Sequence, residues 1–139
     1  MNRALLFLAL TNLLRAELPV VDLSKDTARQ VVVAQGTAEV YQGHPTTVLL
    51  PDGKTMIAVW TLGHGGTCGP MKRSEDGGRT WSELLTVPEN WAEAKNCPSI
   101  YRLTGSDGVT RLIVYAGRGP DKQMQQSVSM DEGKTWSPM

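Results

Sequence analysis

The chain carries no charge bias: 14 basic and 14 acidic side chains balance across 139 residues, without a basic run or an acidic tail. That balance supplies no footing for nucleic acid or an anionic membrane surface. Nor is there a long apolar run, since the longest, Ala4 to Leu14, is too short to span a bilayer. No stretch has a convincing helical period, although Glu89 to Lys95 has room for a turn or two. A Gly-x-Ser-x-Gly elbow, a dinucleotide fingerprint and a phosphate-binding loop are all missing. Asp131-Glu132-Gly133 lacks the ligand spacing of a calcium hand, and Asn96-Cys97-Pro98 is no glycosylation sequon.

What the chain has instead is a repeat. Ser74-Glu75-Asp76-Gly77-Gly78-Arg79-Thr80-Trp81 returns as Ser129-Met130-Asp131-Glu132-Gly133-Lys134-Thr135-Trp136, a period of 55. Both copies fit Ser-x-Asp-x-Gly-x-Thr-Trp, and a period of that size indicates a repeat architecture. Each copy reads as a hairpin corner. The Asp carboxylate accepts backbone N–H groups, the Gly takes a left-handed conformation, and the Trp plugs the space between sheets. Ser74, Asp76, Gly78, Thr80, Trp81 and Ser129, Asp131, Gly133, Thr135, Trp136 are therefore structural residues.

Around the corners, short apolar runs alternate with turn residues. Thr46 to Leu50, Pro51-Asp52-Gly53 and Thr55 to Thr61 form one hairpin. A glycine-rich loop from Gly63 to Pro70 leads through Met71-Lys72-Arg73 into the first corner, and Ser82 to Val87 is the expected fourth strand. The second unit repeats the plan with Pro98 to Leu103, Ser106-Asp107-Gly108, Thr110 to Ala116 and Gln123 to Val128. The reading is all-β: a β-propeller of four-stranded blades, the first blade at about 44–88 and the second, incomplete, at about 97–139. Two units fall short of the three or more that repeat folds generally need, so the chain reads as the N-terminal part of a longer protein. Two blades alone leave open sheet faces that invite aggregation.

Before the blades, Arg3, the apolar run to Leu14 and the small residue in Leu14-Arg15-Ala16 make residues 1–16 a secretory signal peptide cut after Ala16. Export to the periplasm or the medium follows, leaving no membrane span. Without Arg3 and Arg15, 12 basic residues would stand against 14 acidic ones, an ordinary soluble balance. Residues 17–41 read as a linker, with Val31-Val32-Val33-Ala34 and Ala38 to Tyr41 as β-like runs and the former a candidate ring-closing strand.

The order His44-Pro45, Asp52-Gly53, Trp60, a glycine-rich loop, Arg73, the paired corners and Cys97-Pro98-Ser99 resembles the sialidase (neuraminidase) superfamily of six-bladed, Asp-box propellers. The likeness runs from Gln42 to Trp136, and it implies an exo-acting glycoside hydrolase with its pocket at the strand starts. Three positions differ. Gly43 stands where the family grips the substrate carboxylate with an arginine, Leu62 to Pro70 holds no carboxylate for acid/base work, and Cys97 replaces a pocket aspartate. The first difference turns the expectation away from sialic acid, and the family's nucleophilic tyrosine has no counterpart in these blades.

His44 and His64, the only histidines, fall on the implied pocket side. An imidazole can protonate a leaving-group oxygen or orient a sugar hydroxyl, so His64 is the candidate acid/base, with His44 and Arg118 as candidate substrate contacts. Cys68 and Cys97, in loops on the same side, are a candidate disulfide in an exported protein. With the two histidines they would also compose a zinc set, but no Cys-x-x-Cys pair supports it, and no metal or cofactor is expected. Arg73 reads as a solvated strand residue, Trp60 as core, and Trp91 as either core packing or an aromatic face toward a sugar. The reading is thus an exported exo-glycosidase acting on terminal sugars of glycans or polysaccharides. The alternative is a non-catalytic propeller that binds a glycan or a protein.

Overall fold

A computed structural model describes residues 19–118 and 123–139, with Arg118 described for its backbone alone. The expected signal peptide at 1–16 lies outside the described residues. The chain divides into a unit ending at Gln30 and a unit spanning Val31–Met139. Within the first, a 3₁₀ turn at Thr27–Arg29 is fastened by the Asp26–Arg29 ion pair at 2.9 Å.

The second unit is all-β. Its strands are β1 (Gln42–Leu49), β2 (Met56–Leu62), β3 (Cys68–Ser74), β4 (Ala94–Thr104), β5 (Thr110–Arg118) and β6 (Gln123–Ser129). They make two antiparallel three-stranded sheets, ordered β1-β2-β3 and β4-β5-β6. No helix among the described residues is long and apolar enough to cross a membrane.

Two expected elements are corrected. Val31 to Ala34 and Ala38 to Tyr41 are not strands, despite their β-branched composition. A Thr37 turn interrupts them, its hydroxyl accepting the N–H groups of Glu39 and Val40 at 3.2 and 3.0 Å. Nor do Ser82 to Val87 form a regular fourth strand. Ser82 N–H donates to Arg73 O at 2.8 Å and Leu85 N–H to Met71 O at 2.9 Å, but the Ser82 hydroxyl takes the Arg73 N–H at 3.0 Å. A side chain thus occupies the place of a ladder carbonyl, and regular pairing stops. Ser137 does the same to Val128, at 2.9 and 3.0 Å, so the repeat extends one residue beyond the tryptophan.

The hairpin corners repeat atom for atom. Asp76 Oδ1 accepts the N–H groups of Arg79 and Thr80, both at 2.9 Å, and Oδ2 accepts the Thr80 hydroxyl at 2.7 Å. Asp131 takes the equivalent bonds from Lys134 and Thr135 at 3.1, 2.9 and 2.6 Å. Ser74 and Ser129 accept the N–H of Gly78 and Gly133 at 2.8 Å, with those glycines at φ +85° and +84°. The β1–β2 and β4–β5 turns use Asp52 and Asp107 similarly, through the Thr55 hydroxyl and the Arg111 guanidinium.

All four carboxyls are held down at about 2, chiefly by the Thr55 hydroxyl for Asp52, the Thr80 N–H for Asp76, the Arg111 side chain for Asp107 and the Thr135 hydroxyl for Asp131. A depressed carboxyl adds stability while ionised in the fold, and that contribution is lost as the pH falls from the ordinary 3.8 through about 2. Denaturant midpoints should therefore hold steady down to about pH 4 and fall steeply between 4 and 2. A midpoint independent of pH across that interval would contradict the four-turn arrangement.

Register shows how the sheets meet. The pairs Thr46↔Val59↔Met71 and Val48↔Ile57↔Arg73 define one face of the first sheet. Ile100↔Val114↔Ser127 and Arg102↔Leu112↔Ser129 define one face of the second. These two faces enclose the core, where Ile57, Val59 and Met71 cluster with Ile100, Leu112, Val114 and Ala116. Thr46 clasps the sheets together, its hydroxyl donating to Pro98 O at 3.0 Å and accepting Ile100 N–H at 3.2 Å. Arg73, expected in solvent, donates from Nη1 to Glu132 O at 2.8 Å and ties the first sheet to the second corner. Between the sheets, a 3₁₀ turn at Glu89–Glu93 buries Trp91 completely, edge-on to Trp136 with centroids 5.5 Å apart.

Candidate functional site

At the end of the sheets away from the aspartate corners, three irregularities fall at one level. β1 shifts register between Gly43 and Thr46, β3 pairs out of step with β2 between Val59 and Thr61, and β4 shifts between Lys95 and Ser99. Such bulges re-aim side chains and recur beside functional sites. Among the described residues, two of the three non-glycine residues with positive φ lie in them, His44 at +49° and Asn96 at +65°. The third, Glu132 at +61°, belongs to the second corner, where it occupies the place of Gly77.

The bulge in β1 brings the two histidines together. Their ring centroids lie 4.8 Å apart at an interplanar angle of 60°. His64 is exposed, whereas His44 is half-buried and its Nδ1 is enclosed without a hydrogen-bond partner. A buried polar atom left unpaired costs about 1–3 kcal/mol and calls for an explanation.

The loop carrying His64 is anchored to both sheets. Gly63 N–H donates to Tyr41 O at 2.8 Å, and the Thr61 hydroxyl donates to Gly63 O at 2.9 Å and Gly43 O at 3.2 Å. On the other side Asn96 N–H donates to Gly66 O at 3.3 Å, and Thr67 bridges to Lys95. The fit is close at two glycines: a β-carbon on Gly66 would collide with Leu62 O, and one on Gly65 would lie 2.8 Å from Asn96 Oδ1. The loop is therefore a framed support for His64.

Gly43 sits inside this frame. A β-carbon there would stand 2.5 Å from Gly63 O and 3.1 Å from Thr61 Oγ1. In this fold position 43 is closed to any side chain, arginine included.

The remaining candidate residues distribute unevenly. Arg118 ends β5, its backbone paired with Ala94 and Gln123, and its side chain lies outside the described residues. The expected disulfide between Cys68 and Cys97 is not formed, for both are free thiols. Cys68 points into the core at 1% exposure, where burial pushes its thiol up to about 12, while Cys97 faces out of the β4 bulge. Among the described residues no group of three or more His, Cys, Asp or Glu side chains is placed to hold a metal ion. Asp52, Asp76, Asp107 and Asp131 all belong to turns at the opposite end of the sheets.

Sequence reading overlooked Thr61, Asn96 and Gln42. Gln42 Oε1 accepts the Trp60 indole N–H at 2.6 Å, which fixes the strand leading into the histidine bulge. Only Asn96 carried a usable signal, because asparagine tolerates the left-handed backbone found there. Chemically the arrangement offers one exposed imidazole, one enclosed nitrogen awaiting a partner, and backbone groups held rigid by neighbouring strands. Set against family models, curated proteins and solved structures, the chain matches none.

Proposed function

We propose that this chain is part of an exported, sialidase-like Asp-box propeller that hydrolyses a terminal sugar of a glycan or polysaccharide at the His44–His64 end. The carrying observation is the contact of the half-buried His44 ring with the exposed His64 ring, their centroids 4.8 Å apart. In this reading each three-stranded sheet, with the irregular segment after its corner, is a blade. Protonated His64 gives its proton to the glycosidic oxygen as the bond to the anomeric carbon breaks, water adds to that carbon and releases a proton to solvent, and half-buried His44 is a substrate contact. Arg118 is a further substrate contact from the adjacent strand end. Because position 43 admits no side chain, the carboxylate grip of a sialic acid site is not assigned, and a neutral sugar is the proposed substrate.

The test is release of a fluorescent aglycone from a panel of terminal glycosides by the secreted protein. Replacing His64 by Ala is expected to lower turnover about 10²–10⁴-fold with the urea midpoint unchanged. Undiminished turnover in that variant would remove His64 from catalysis.

A second reading, a propeller that binds a glycan or protein without chemistry, draws support from the loop Leu62 to Pro70, which holds no carboxylate. Glycan binding with no hydrolysis of any glycoside on the panel would favour it.

A further inference from the structure

The seam between the first sheet and the second corner carries charges that the repeat does not duplicate. Arg73 and Glu75 flank Ser74, whereas Val128 and Met130 flank Ser129, so the equivalent positions of the second unit are apolar. The basic residue inside each corner differs too. Arg79 turns back onto its own corner, Nη1 donating to Asp76 O at 3.2 Å. Its counterpart Lys134 is exposed and has no ion-pair partner among the described residues.

Two adjoining clefts open at this seam, of roughly 440 and 410 Å³, and Arg73, Glu75 and Leu85 line both. Thr86, Gly133 and Lys134 complete the larger, and Thr80, Trp81 and Ser82 the smaller. Each has the size of a small-ligand site. Arg73 is held from two sides, Nη1 donating to Glu132 O at 2.8 Å and Nε lying 3.4 Å from Glu75 Oε1. Nη2 takes part in neither contact. The Arg73 side chain is only 18% exposed, so its guanidinium is fixed in advance and a ligand is spared the cost of ordering it. Glu75 is the opposite case. At 79% exposure its contact with Arg73 is a surface ion pair of small worth, and its carboxylate is free to swing into solvent.

We infer that these clefts bind a hexuronate unit of an acidic polysaccharide. The planar carboxylate of the sugar meets Arg73 Nη2 and the Lys134 ammonium, and Glu75 gives way to it, because guanidinium and carboxylate match in shape as well as charge. The C–H face of the ring rests on the wall made by Leu85 and Trp81, an apolar surface beside fixed cations. An acidic peptide side chain would satisfy the two cations and leave that wall unfilled. The clefts lie at the aspartate-corner end of the sheets, away from His44 and His64, so they anchor a chain without acting on it and stand apart from any hydrolysis at the other end.

Calorimetric titration of the whole chain with trigalacturonate is the test, beside the same trimer with its carboxyls reduced to alcohols and a tripeptide of glutamate. Trigalacturonate should bind, and the reduced trimer and the peptide should give no measurable heat. Lys134→Gln should weaken binding about 2–5-fold, and Glu75→Gln should tighten it by a similar factor because a competing carboxylate is gone. Arg73→Lys keeps the charge and loses the planar fork, which should weaken binding about tenfold or more. Should that variant unfold through loss of the Glu132 contact, the other two decide, since both alter exposed side chains. His64→Ala should bind as the unaltered chain does. Four results overturn the assignment: no binding of trigalacturonate, equal binding of the reduced trimer or the peptide, no change of affinity in Lys134→Gln and Glu75→Gln, or loss of binding in His64→Ala.

Discussion

Replacing Trp91 by Ala is expected to destabilise the unit by about 3–5 kcal/mol, a large share of the roughly 5–15 kcal/mol that holds a domain folded. The indole is fully buried and meets Trp136 edge-on at 5.5 Å. Its Nε1 has no hydrogen-bond partner, so the loss is one of packing and cavity formation alone. The backbone that presents it would persist, since Asn90 Nδ2 donates to Met139 O at 2.7 Å and Asn90 Oδ1 accepts Met139 N–H at 3.3 Å. Little relaxation into the hole is then available. Urea denaturation followed by circular dichroism measures the change, with Trp91→Phe as the control. Phenylalanine keeps most of the volume and omits the unpaired N–H, so it should cost much less. Equal losses for the two variants would mean that Trp91 is not packed as described.

Replacing Gly133 by Ala is expected to cost about 3 kcal/mol, combining a left-handed backbone penalty of roughly 1–2 with overpacking of roughly 1–3. At φ +84° the added β-carbon would run into Ile57 Cδ1 and stand 3.3 Å from Leu112 Cδ1. Ile57 is itself fully buried and has nowhere to turn. The repeated glycine of the first corner is in a softer place, for a β-carbon on Gly78 would meet Met56 Sδ at 3.2 Å, and a methionine side chain adapts. Gly77→Ala is milder still, because nothing lies within 4 Å of its β-carbon. Its equivalent Glu132 already tolerates φ +61°. The denaturation midpoints should fall in the order Gly77→Ala least, Gly78→Ala intermediate, Gly133→Ala most. Indistinguishable losses at Gly78 and Gly133 would show that the corner alone, without the neighbouring sheet, sets the cost.

That contrast marks the boundary of what the residues reveal before folding. Identity and spacing within the corner are local, so the roles of Asp76 and Asp131 could be read from turn chemistry. Gly78 and Gly133 look identical in sequence and differ only in what the other sheet places over them. The six described strands were legible in outline, although β3 begins at Cys68 inside the expected glycine-rich loop and β4 at Ala94, ahead of the expected Pro98. The missing fourth was not legible. Whether Ser82 to Val87 pairs regularly depends on a hydroxyl that takes a backbone N–H in place of a carbonyl. Val31 to Ala34 misled for the opposite reason, as β-branched composition describes fit to a half-buried sheet and guarantees no strand partner.

The candidate site was legible as far as its two histidines and no further. Their contact arises from a bulge at Gly43–Thr46, whose position depends on the register across β2. Thr61 and Asn96, which frame the loop, exert their effect through carbonyls and backbone angles that no motif encodes. The cysteines illustrate the same limit: both read as loop residues, yet Cys68 opens β3 and turns inward while Cys97 lies in β4 and turns out.

The Thr46 clasp has a consequence for how the chain assembles. Each aspartate corner closes over four residues, while the clasp joins groups 52 and 54 residues apart. Closing a loop costs entropy that grows with the logarithm of its length, and local hairpins form within about 1–10 μs. The expected order is therefore two hairpin nuclei, each with its register already set by its own corner, followed by a slower search in which one preformed sheet finds the other. Contact order across the β1–β4 seam, and not strand formation, then governs the folding rate.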